Sequence, residues 1–151
     1  MLCKVWAHSG ISRRRKLYIY SSCVISKVLY SLDSVWLLKA ERARLDAFNC
    51  ACLRRICGIP HSYVSRVSKD EVLKRSGQLR LSFLLAERQV KLYRRIVALP
   101  DTSIVKSVVC TGHGLPTIWC LRRKRGRPRQ MWAAQVFRMS EENSFGVISS
   151  T

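Results

Sequence analysis

The stretch that decides the fold is SFLLAERQVKLYRRIVALP, residues 82–100. Its apolar side chains recur at the spacing of one face of an α-helix. Ser82 is a favoured N-cap residue and Pro100 cannot continue a helix, so the pattern predicts an amphipathic helix from Ser82 to Leu99. Its apolar face consists of Leu85, Leu92, Ile96 and Leu99, flanked by Ala86 and Tyr93.

The other side of this helix is basic. Arg88, Lys91 and Arg95 follow at i, i+3 and i+7, so they lie on one face. A stripe of charge on a helix is usually just a solvated surface. Here the chain has 28 Lys and Arg residues against 9 Asp and Glu residues, so few acids are present to balance the stripe. We therefore expect it to contact phosphate groups.

Helical signals also precede this stretch. Ser12 can cap a helix that begins at Arg13, and apolar residues on all sides of that helix indicate that it is packed on all sides. A second helix is predicted for residues 39–57 and is ended by Gly58. The apolar face of the second helix is predicted to consist of Leu45, Phe48, Cys52 and Ile56.

Shorter helices are expected on both sides of the amphipathic helix. Ser68 and Glu71 fit a capping box that begins a short helix, and Gly77 ends it. Another short helix is expected within residues 102–110, and an amphipathic piece within residues 128–142. The sequence shows no strand pattern and no repeat.

The predicted fold class is therefore all-α. We expect a small irregular helical bundle of about four to five helices with a basic, partly disordered C-terminal arm. The helical domain is predicted over residues 1–110. The arm is predicted over residues 111–151, with an RGRPR motif, a short helix and a disordered tail. Because the apolar stripes all precede residue 110, we expect the core to lie there.

The charge of the chain indicates a polyanionic partner. The formal net charge is +19, and such an excess costs folding free energy through self-repulsion. Nucleic acid, either DNA or RNA, is the first expectation and an anionic membrane surface a distant second. The most apolar run, residues 17–38, carries Lys27, Asp33 and several serines, which favours a buried helix over a membrane span. We expect no membrane partner.

The sequence contains no recognisable catalytic constellation. It has no Gly-rich phosphate loop, no H-E-x-x-H and no G-x-S-x-G. The acidic residues are scattered and form no close carboxylate pair that would hold two magnesium ions for phosphoryl transfer. We therefore expect no catalytic residues and no cofactor, and we expect that the chain as it stands is not an enzyme.

The cysteines are expected to be reduced and to bind no metal. Most of the 7 cysteines lie within apolar runs, and no signal peptide is visible, which favours an intracellular compartment. Cys50 and Cys52 lie on a predicted helix and point about 200° apart, and the second cluster lacks a fourth ligand. The clusters considered are Cys50, Cys52, Cys57 and His61, and Cys110, His113 and Cys120.

The most basic run is RRKRGRPR, residues 122–129. A flexible linker and a nuclear import signal both fit it. Arg125 to Pro128 is also similar to the core of an AT-hook, in which arginines enter a narrow A·T minor groove. We interpret the run as a nucleic-acid contact whose type stays open.

A further basic group, residues 13–16, lies at the positive end of a predicted helix dipole, where a nearby negative group would relieve the repulsion. Together with the helix stripe and the basic run, it completes the predicted contact set. The predicted nucleic-acid-binding residues are Arg13, Arg14, Arg15, Lys16, Arg88, Lys91, Arg95, Arg122, Arg123, Lys124, Arg125, Arg127 and Arg129.

Several motifs follow one another in a characteristic order. They are RKLYIYSSCVISKVLYSLDSVWLL (15–38), RLDAFNCACLRRICGIP (44–60), SKDEVLKRSGQLRLSFLLAERQVKLYRRIVALP (68–100), and later Gly126 to Arg129 with Trp132. In this order they resemble the segment downstream of the reverse transcriptase catalytic domain in non-LTR retrotransposons. In that family a helix ends in a Tyr-Gly-x-Glu-x-x-Trp-like motif, and Leu-x-x-Phe, Leu-Arg-Arg-Ile, Ser/Thr-x-x-Glu-Val-Leu and Gly-Arg-Pro-Arg-x-x-Trp motifs follow.

The resemblance covers roughly residues 12–136 and implies that the first helices belong to a polymerase thumb, which grips the template–primer duplex. The chain departs from the family pattern at three places. Ser31 stands where many relatives have Gly, and Asp33 stands where they have Glu. Residues 94–95 are Arg-Arg where many relatives have Gly-His.

The palm with its Asp-Asp pair, the fingers and any recognisable endonuclease are absent from the sequence. The resemblance therefore implies a fragment of a transposable-element polymerase, found in the nucleus, and not a working reverse transcriptase. The missing palm, or a related protein of the element, is then a further expected partner. Two alternatives stay open: a protein-interaction module for an acidic partner, and a relic without function.

Overall fold

The computed structural model describes residues 5–6, 8–111, 114–117 and 131–146, with side chains up to residue 141. In these ranges the chain is helical and forms no β-strand, and its one extended pairing is an isolated bridge between Cys110 and Pro116. The predicted all-α class is confirmed. No helix in these ranges is long and apolar enough to cross a membrane.

The helices lie close to the predicted positions. A π-helical turn (Tyr20–Ile25) joins α1 to α2, and a 3-10 turn (Leu32–Ser34) follows α2. The helix predicted for residues 39–57 has the predicted bounds. The helices are α1 (Arg13–Ile19), α2 (Ser26–Val28), α3 (Lys39–Cys57), α4 (Ser62–Ser65), α5 (Lys69–Ser76), α6 (Leu81–Val97), α7 (Ile104–Val109) and α8 (Trp132–Gly146).

The chain divides into two compact units. The first unit comprises the described residues up to Tyr30 together with Leu37–Leu84, and the second comprises Ser31–Trp36 and the described residues from Leu85 onward. Helix α6 begins in the first unit and continues in the second. The sequence predicts a domain boundary near residue 110. In the structure the chain passes from one unit to the other after residues 30, 36 and 84, the last of which lies within α6.

Local caps account for several helix ends. The Ser12 side chain accepts a hydrogen bond from the N–H of Arg15, as predicted. Ser68 accepts one from the N–H of Glu71, which is the first half of the predicted capping box, whereas the Glu71 carboxylate pairs with Arg75. Gly58 and Gly77 follow α3 and α5 with φ of +66° and +63°. This left-handed conformation costs glycine little, so both helices end where the sequence predicts.

The first unit packs α3 against α1 and α5 around a core that contains polar groups. The Tyr20 hydroxyl donates to Asn49 Oδ1 at 2.8 Å, and Asn49 Nδ2 donates to the Leu79 carbonyl at 3.1 Å. Tyr20, Asn49 and Leu53 are almost completely buried. A fully satisfied buried network of this kind fixes how α3 is rotated against its neighbours.

The predicted apolar face of α3 is partly wrong. Ile56 is buried as expected, but Phe48 is 43% exposed, and the neighbouring positions Asn49 and Leu53 are buried instead. The cause is the amide of Asn49, whose hydrogen bonds to Tyr20 and Leu79 draw this polar residue into the core. Hydrophobic periodicity alone does not register a buried polar residue.

Helix α6 begins at Leu81, so the prediction that Ser82 is its N-cap is wrong. The N–H and Oγ of Ser82 both donate to the carboxylate of Asp46 on α3, at 2.9 and 2.7 Å. An acid from a distant part of the sequence therefore caps this helix. On the predicted apolar face Leu85 and Ile96 are buried, whereas Leu99 lies beyond the helix and is 37% exposed.

The core of the second unit contains an aromatic cluster. Val90, Tyr93, Ile96, Cys110 and Val136 form its buried centre. The Tyr93 ring lies 6.2 Å from that of Trp132 and 6.3 Å from that of Phe137. The partly buried side chains around the cluster are Trp36, Leu92, Val97, Val109, Trp132, Ala133, Phe137 and Met139.

The expectation that the whole core precedes residue 110 is therefore wrong. Val136 on α8 is fully buried, and it packs with Tyr93 and Ile96 of α6. The sequence predicts an amphipathic segment within residues 128–142, which includes Val136, but it does not predict which earlier helix this segment packs against. The tail beyond residue 146, predicted to be disordered, lies outside the described residues.

Candidate nucleic-acid interface

Arg88, Lys91 and Arg95 lie exposed on α6 and are called the basic row below. At 100° per residue the three positions fall within about 60° of the helix circumference and span about 10.5 Å of its axis. A duplex presents one phosphate charge per about 1.7 Å of its axis. A row of this length therefore matches several successive phosphates.

Contacts on the opposite side of α6 hold the basic row towards solvent. Gln89, Val90 and Tyr93 are buried on that side. Gln89 Nε2 donates to the Val35 carbonyl at 2.7 Å, and the Tyr93 hydroxyl donates to the Gly114 carbonyl at 2.8 Å. Because these contacts hold the backbone of α6, the basic row continues to face solvent while its long cationic side chains move.

No carboxylate of the described chain lies within ion-pair distance of the basic row. Even Glu87, which is exposed on the same helix one turn before Lys91, forms no ion pair with the basic row. The ion pairs that do form involve Asp70, Glu71 and Asp101. Without paired carboxylates, the row keeps its charge for an external anion.

The other acids serve structural purposes. Glu41 accepts a hydrogen bond from the N–H of Leu38 at 2.7 Å, at the start of α3, and Asp46 caps α6. A hydrogen bond from Arg75 lowers the pKa of Glu71, and one from Lys106 lowers the pKa of Asp101. Both carboxylates are therefore ionised at neutral pH and already paired with Arg75 and Lys106, so neither neutralises the charge of the basic row.

The sequence-based set omits Arg94. Arg94 is also exposed on α6 and stands beside Arg95 in the chain. It lies about 100° around the helix from Arg95, which places it at the edge of the basic row. Helical spacing is the sequence signal that could have identified it, because Arg94 follows Lys91 at i+3.

Residues 13–16 form a second basic group, and two of its members have internal partners. The Arg13 guanidinium donates to the Arg75 carbonyl in the last turn of α5, the negative end of that helix dipole. Lys16 Nζ donates to the Trp6 carbonyl at 2.7 Å. Arg14 and Arg15 are exposed at the start of α1. The negative group expected near this cluster is thus partly supplied by backbone carbonyls.

The six predicted contact residues of the basic run, Arg122, Arg123, Lys124, Arg125, Arg127 and Arg129, lie outside the described residues. Their role as a phosphate contact, a minor-groove contact, an import signal or a linker stays a prediction. The basic row and residues 13–16 are the predicted contacts whose structure is described.

Within the described ranges, no group of three or more His, Cys, Asp or Glu side chains is placed to hold a metal ion. Cys50 is buried, Cys52 and Cys57 are half-buried, and all three are free thiols. Burial raises the pKa of the Cys50 and Cys52 thiols, so both are protonated at neutral pH. This protonation disfavours thiolate chemistry at these positions.

Comparison with known proteins adds no relative: no family model, curated protein or solved structure matches the chain. The function must therefore be inferred from the residues and their geometry. The described feature with the clearest chemistry is the basic row on α6.

Proposed function

We propose that this chain binds nucleic acid through its phosphates, with the basic row as the described contact surface. The observation that carries the proposal is the row itself. It presents three cations on the outer side of a fixed helix, without a carboxylate within ion-pair distance in the described ranges. The net charge of +19 supports the same partner, since it attracts polyanions over long distances.

We further propose that the chain is related to the thumb and downstream segment of a non-LTR retrotransposon reverse transcriptase. Ser31 supports this relation, because it occupies the glycine position of the family motif and has a φ of +64°. Such a left-handed backbone favours glycine. Trp36, which stands at the tryptophan of the same motif, packs against the core cluster of the second unit.

In this proposal the chain binds nucleic acid in the nucleus and does not itself extend a primer. The acids that form caps and ion pairs are Glu41, Asp46, Asp70, Glu71 and Asp101, and those side chains are already committed to structure. With either magnesium or manganese, the purified chain is expected to add no nucleotides to a primed template. Template-dependent extension would contradict this part of the proposal.

The test compares two variants that lose the same charge. The row variant replaces all three residues of the basic row with Gln. The control, K39Q/R44Q/K74Q, removes three exposed cations from α3 and α5. We expect the Kd for a labelled DNA duplex to rise at least about tenfold in the row variant and about twofold or less in the control. Equal Kd values for the two variants would overturn the assignment of the row.

A protein-interaction module is the second candidate, and one observation favours it. Helix α7 exposes Ile104, Val105 and Val108, which are 80%, 53% and 70% accessible. Adjacent exposed apolar side chains are typical of protein contact surfaces. The duplex-binding measurement separates the two candidates. A protein-interaction module predicts no loss of duplex affinity that is specific to the row variant.

A further inference from the structure

A second electropositive feature lies in the first unit, around Arg54 on α3. This arginine is only 7% exposed. Its Nη1 donates to the Pro60 carbonyl at 3.0 Å and to Ser65 Oγ at 3.1 Å, and its Nη2 donates to the Val67 carbonyl. These acceptors are neutral, and no carboxylate in the described ranges forms an ion pair with Arg54. A buried positive charge without a counter-ion is energetically costly.

Arg54 is one of the residues that line a pocket of about 370 Å³, the Arg54 pocket. Its volume falls within the range of small-molecule sites. No carboxylate of the described residues lines it, whereas several potential hydrogen-bond donors do, and two alanines of α3 contribute small side chains to its wall. The donor-bearing side chains that line it are Arg54, Arg55, His61, Ser62 and Lys69.

A neighbouring cavity of about 250 Å³ shows that this charge imbalance is not general to the unit. It shares Cys50 and Lys69 with the Arg54 pocket, but Asp46 and Asp70 also line it. Asp70 pairs with Arg80 at 2.6 Å. Carboxylates therefore line that cavity and pair with its Arg80, whereas no described carboxylate lines the Arg54 pocket.

Cys50 lies in the wall that the two cavities share. Burial raises the pKa of its thiol. Lys69, Arg54 and Arg80 act against that rise, and Asp46 of the neighbouring cavity adds to it. Lys69 from α5 and Arg54 from α3 therefore both favour negative charge at this wall, against the opposite effect of Asp46.

We propose that the Arg54 pocket binds a phosphate monoester, and that on a nucleic acid the ligand is a terminal phosphate. This extension rests on the proposed function. A monoester carries a charge of about −1.5 to −2 at neutral pH and three acceptor oxygens. It also projects from the end of a strand into a recess, whereas an internal diester is flanked by a sugar on each side.

The lining residues divide the task. Arg55 and Lys69 are exposed at the pocket and supply mobile cations that reach the phosphate oxygens. Arg54 has more N–H donors than its three hydrogen bonds use, and its charge acts at short range because it is buried. Those same bonds hold the backbone of Pro60 and Val67, which orders the segment that carries His61 and Ser62.

The experiment uses the full chain and two single-stranded DNA oligonucleotides of one sequence, with a 5′-phosphate or a 5′-hydroxyl. We expect the phosphorylated strand to bind about tenfold more tightly, the effect of a few charge-assisted hydrogen bonds. The pocket variant R55Q/K69Q should bind both strands equally. The matched control R44Q/K74Q removes one cation from each of the same two helices outside the pocket and should keep the preference.

Competition with inorganic phosphate and with adenosine monophosphate distinguishes a strand end from a free phosphate ester. If either competitor removes the 5′-phosphate preference, the pocket accepts free monoesters as well. If the chain binds no nucleic acid but binds the monophosphate through Arg55 and Lys69, the pocket stands and the proposed function fails. Equal binding of both strands by the wild type, or a preference that survives in R55Q/K69Q, would overturn the pocket proposal.

Discussion

The two units are stabilised by different contacts. In the first unit, α3 buries Asn49 and Arg54, and these polar groups form hydrogen bonds with Tyr20, Leu79 and the segment after α3. In the second unit, α6 packs Tyr93 against rings of α8, and apolar side chains complete the cluster. Substitutions should therefore act mainly through unsatisfied polar groups in the first unit and through lost packing in the second.

The largest effect is expected in the aromatic cluster. Tyr93→Ala removes two ring contacts and the hydrogen bond to the Gly114 carbonyl, so we expect about 4 kcal/mol of lost stability in urea unfolding. Tyr18, which is 71% exposed, provides the control, and Tyr18→Ala should cost less than about 0.5 kcal/mol. If Tyr93→Ala lowers the free energy of unfolding as little as Tyr18→Ala does, the cluster does not stabilise the second unit.

A slightly smaller effect is expected at the buried arginine of the first unit. Arg54→Met keeps the apolar length but removes the donor of the Val67 carbonyl and one of the two side-chain donors of the Pro60 carbonyl, so we expect a loss of about 3 kcal/mol. Arg55→Met, at the exposed neighbouring position, should change stability by less than about 0.5 kcal/mol. If both substitutions are neutral, the buried hydrogen bonds do not order the segment after α3.

The two units should share one response to alkaline pH. Burial, followed by interactions with a nearby cysteine, raises the pKa of Tyr20 and of Tyr93 above the ordinary value of 10.0. A raised folded pKa contributes stability that is fully present below the unfolded pKa and is lost as pH rises above it. Stability should therefore fall above about pH 10, by on the order of 1 kcal/mol per tyrosine at about pH 11.

Urea midpoints measured across this pH range test the response. The double variant Y20F/Y93F begins less stable because it loses two hydrogen bonds, but its midpoint should fall less steeply above pH 10 than that of the wild type. Substitution of the exposed Tyr63 by Phe should leave the slope unchanged. If the urea midpoint of Y20F/Y93F falls with pH as steeply as that of the wild type, neither buried hydroxyl contributes to the pH dependence.

The smallest effect is expected at the connection that leads into the second unit. Ser31 has a φ of +64°, so Ser31→Gly should relieve backbone strain and stabilise the chain by about 0.5–1 kcal/mol. Ser34→Gly in the adjacent 3-10 turn lacks this strain and should destabilise the chain. A destabilising Ser31→Gly would argue against a glycine-type position there, and so against the family motif.

The features that the sequence predicts well are set by neighbouring residues. The bounds of α3 and the endings at Gly58 and Gly77 follow from capping and backbone conformation, which short stretches determine. The exposed basic row follows from helical spacing alone, since its three residues recur at i, i+3 and i+7 of one helix.

The features that the sequence misses depend on distant residues. Asp46 caps α6 from α3, and Val136 reaches the cluster from α8. In the sequence Arg54 is one member of an ordinary Arg-Arg pair, and only the fold buries it at the wall of a pocket that no described carboxylate lines. Helical periodicity describes one element at a time, so it cannot predict which elements meet.

The salt dependence of duplex binding tests the central claim most directly. The measurement is the slope of log K against log salt for the wild type, the row variant and the control K39Q/R44Q/K74Q. If the basic row contacts three phosphates, its replacement should flatten the slope by about 2.7, from roughly 0.9 per lost contact, while the control keeps a slope close to that of the wild type. Identical slopes for the wild type and the row variant would contradict phosphate binding by α6.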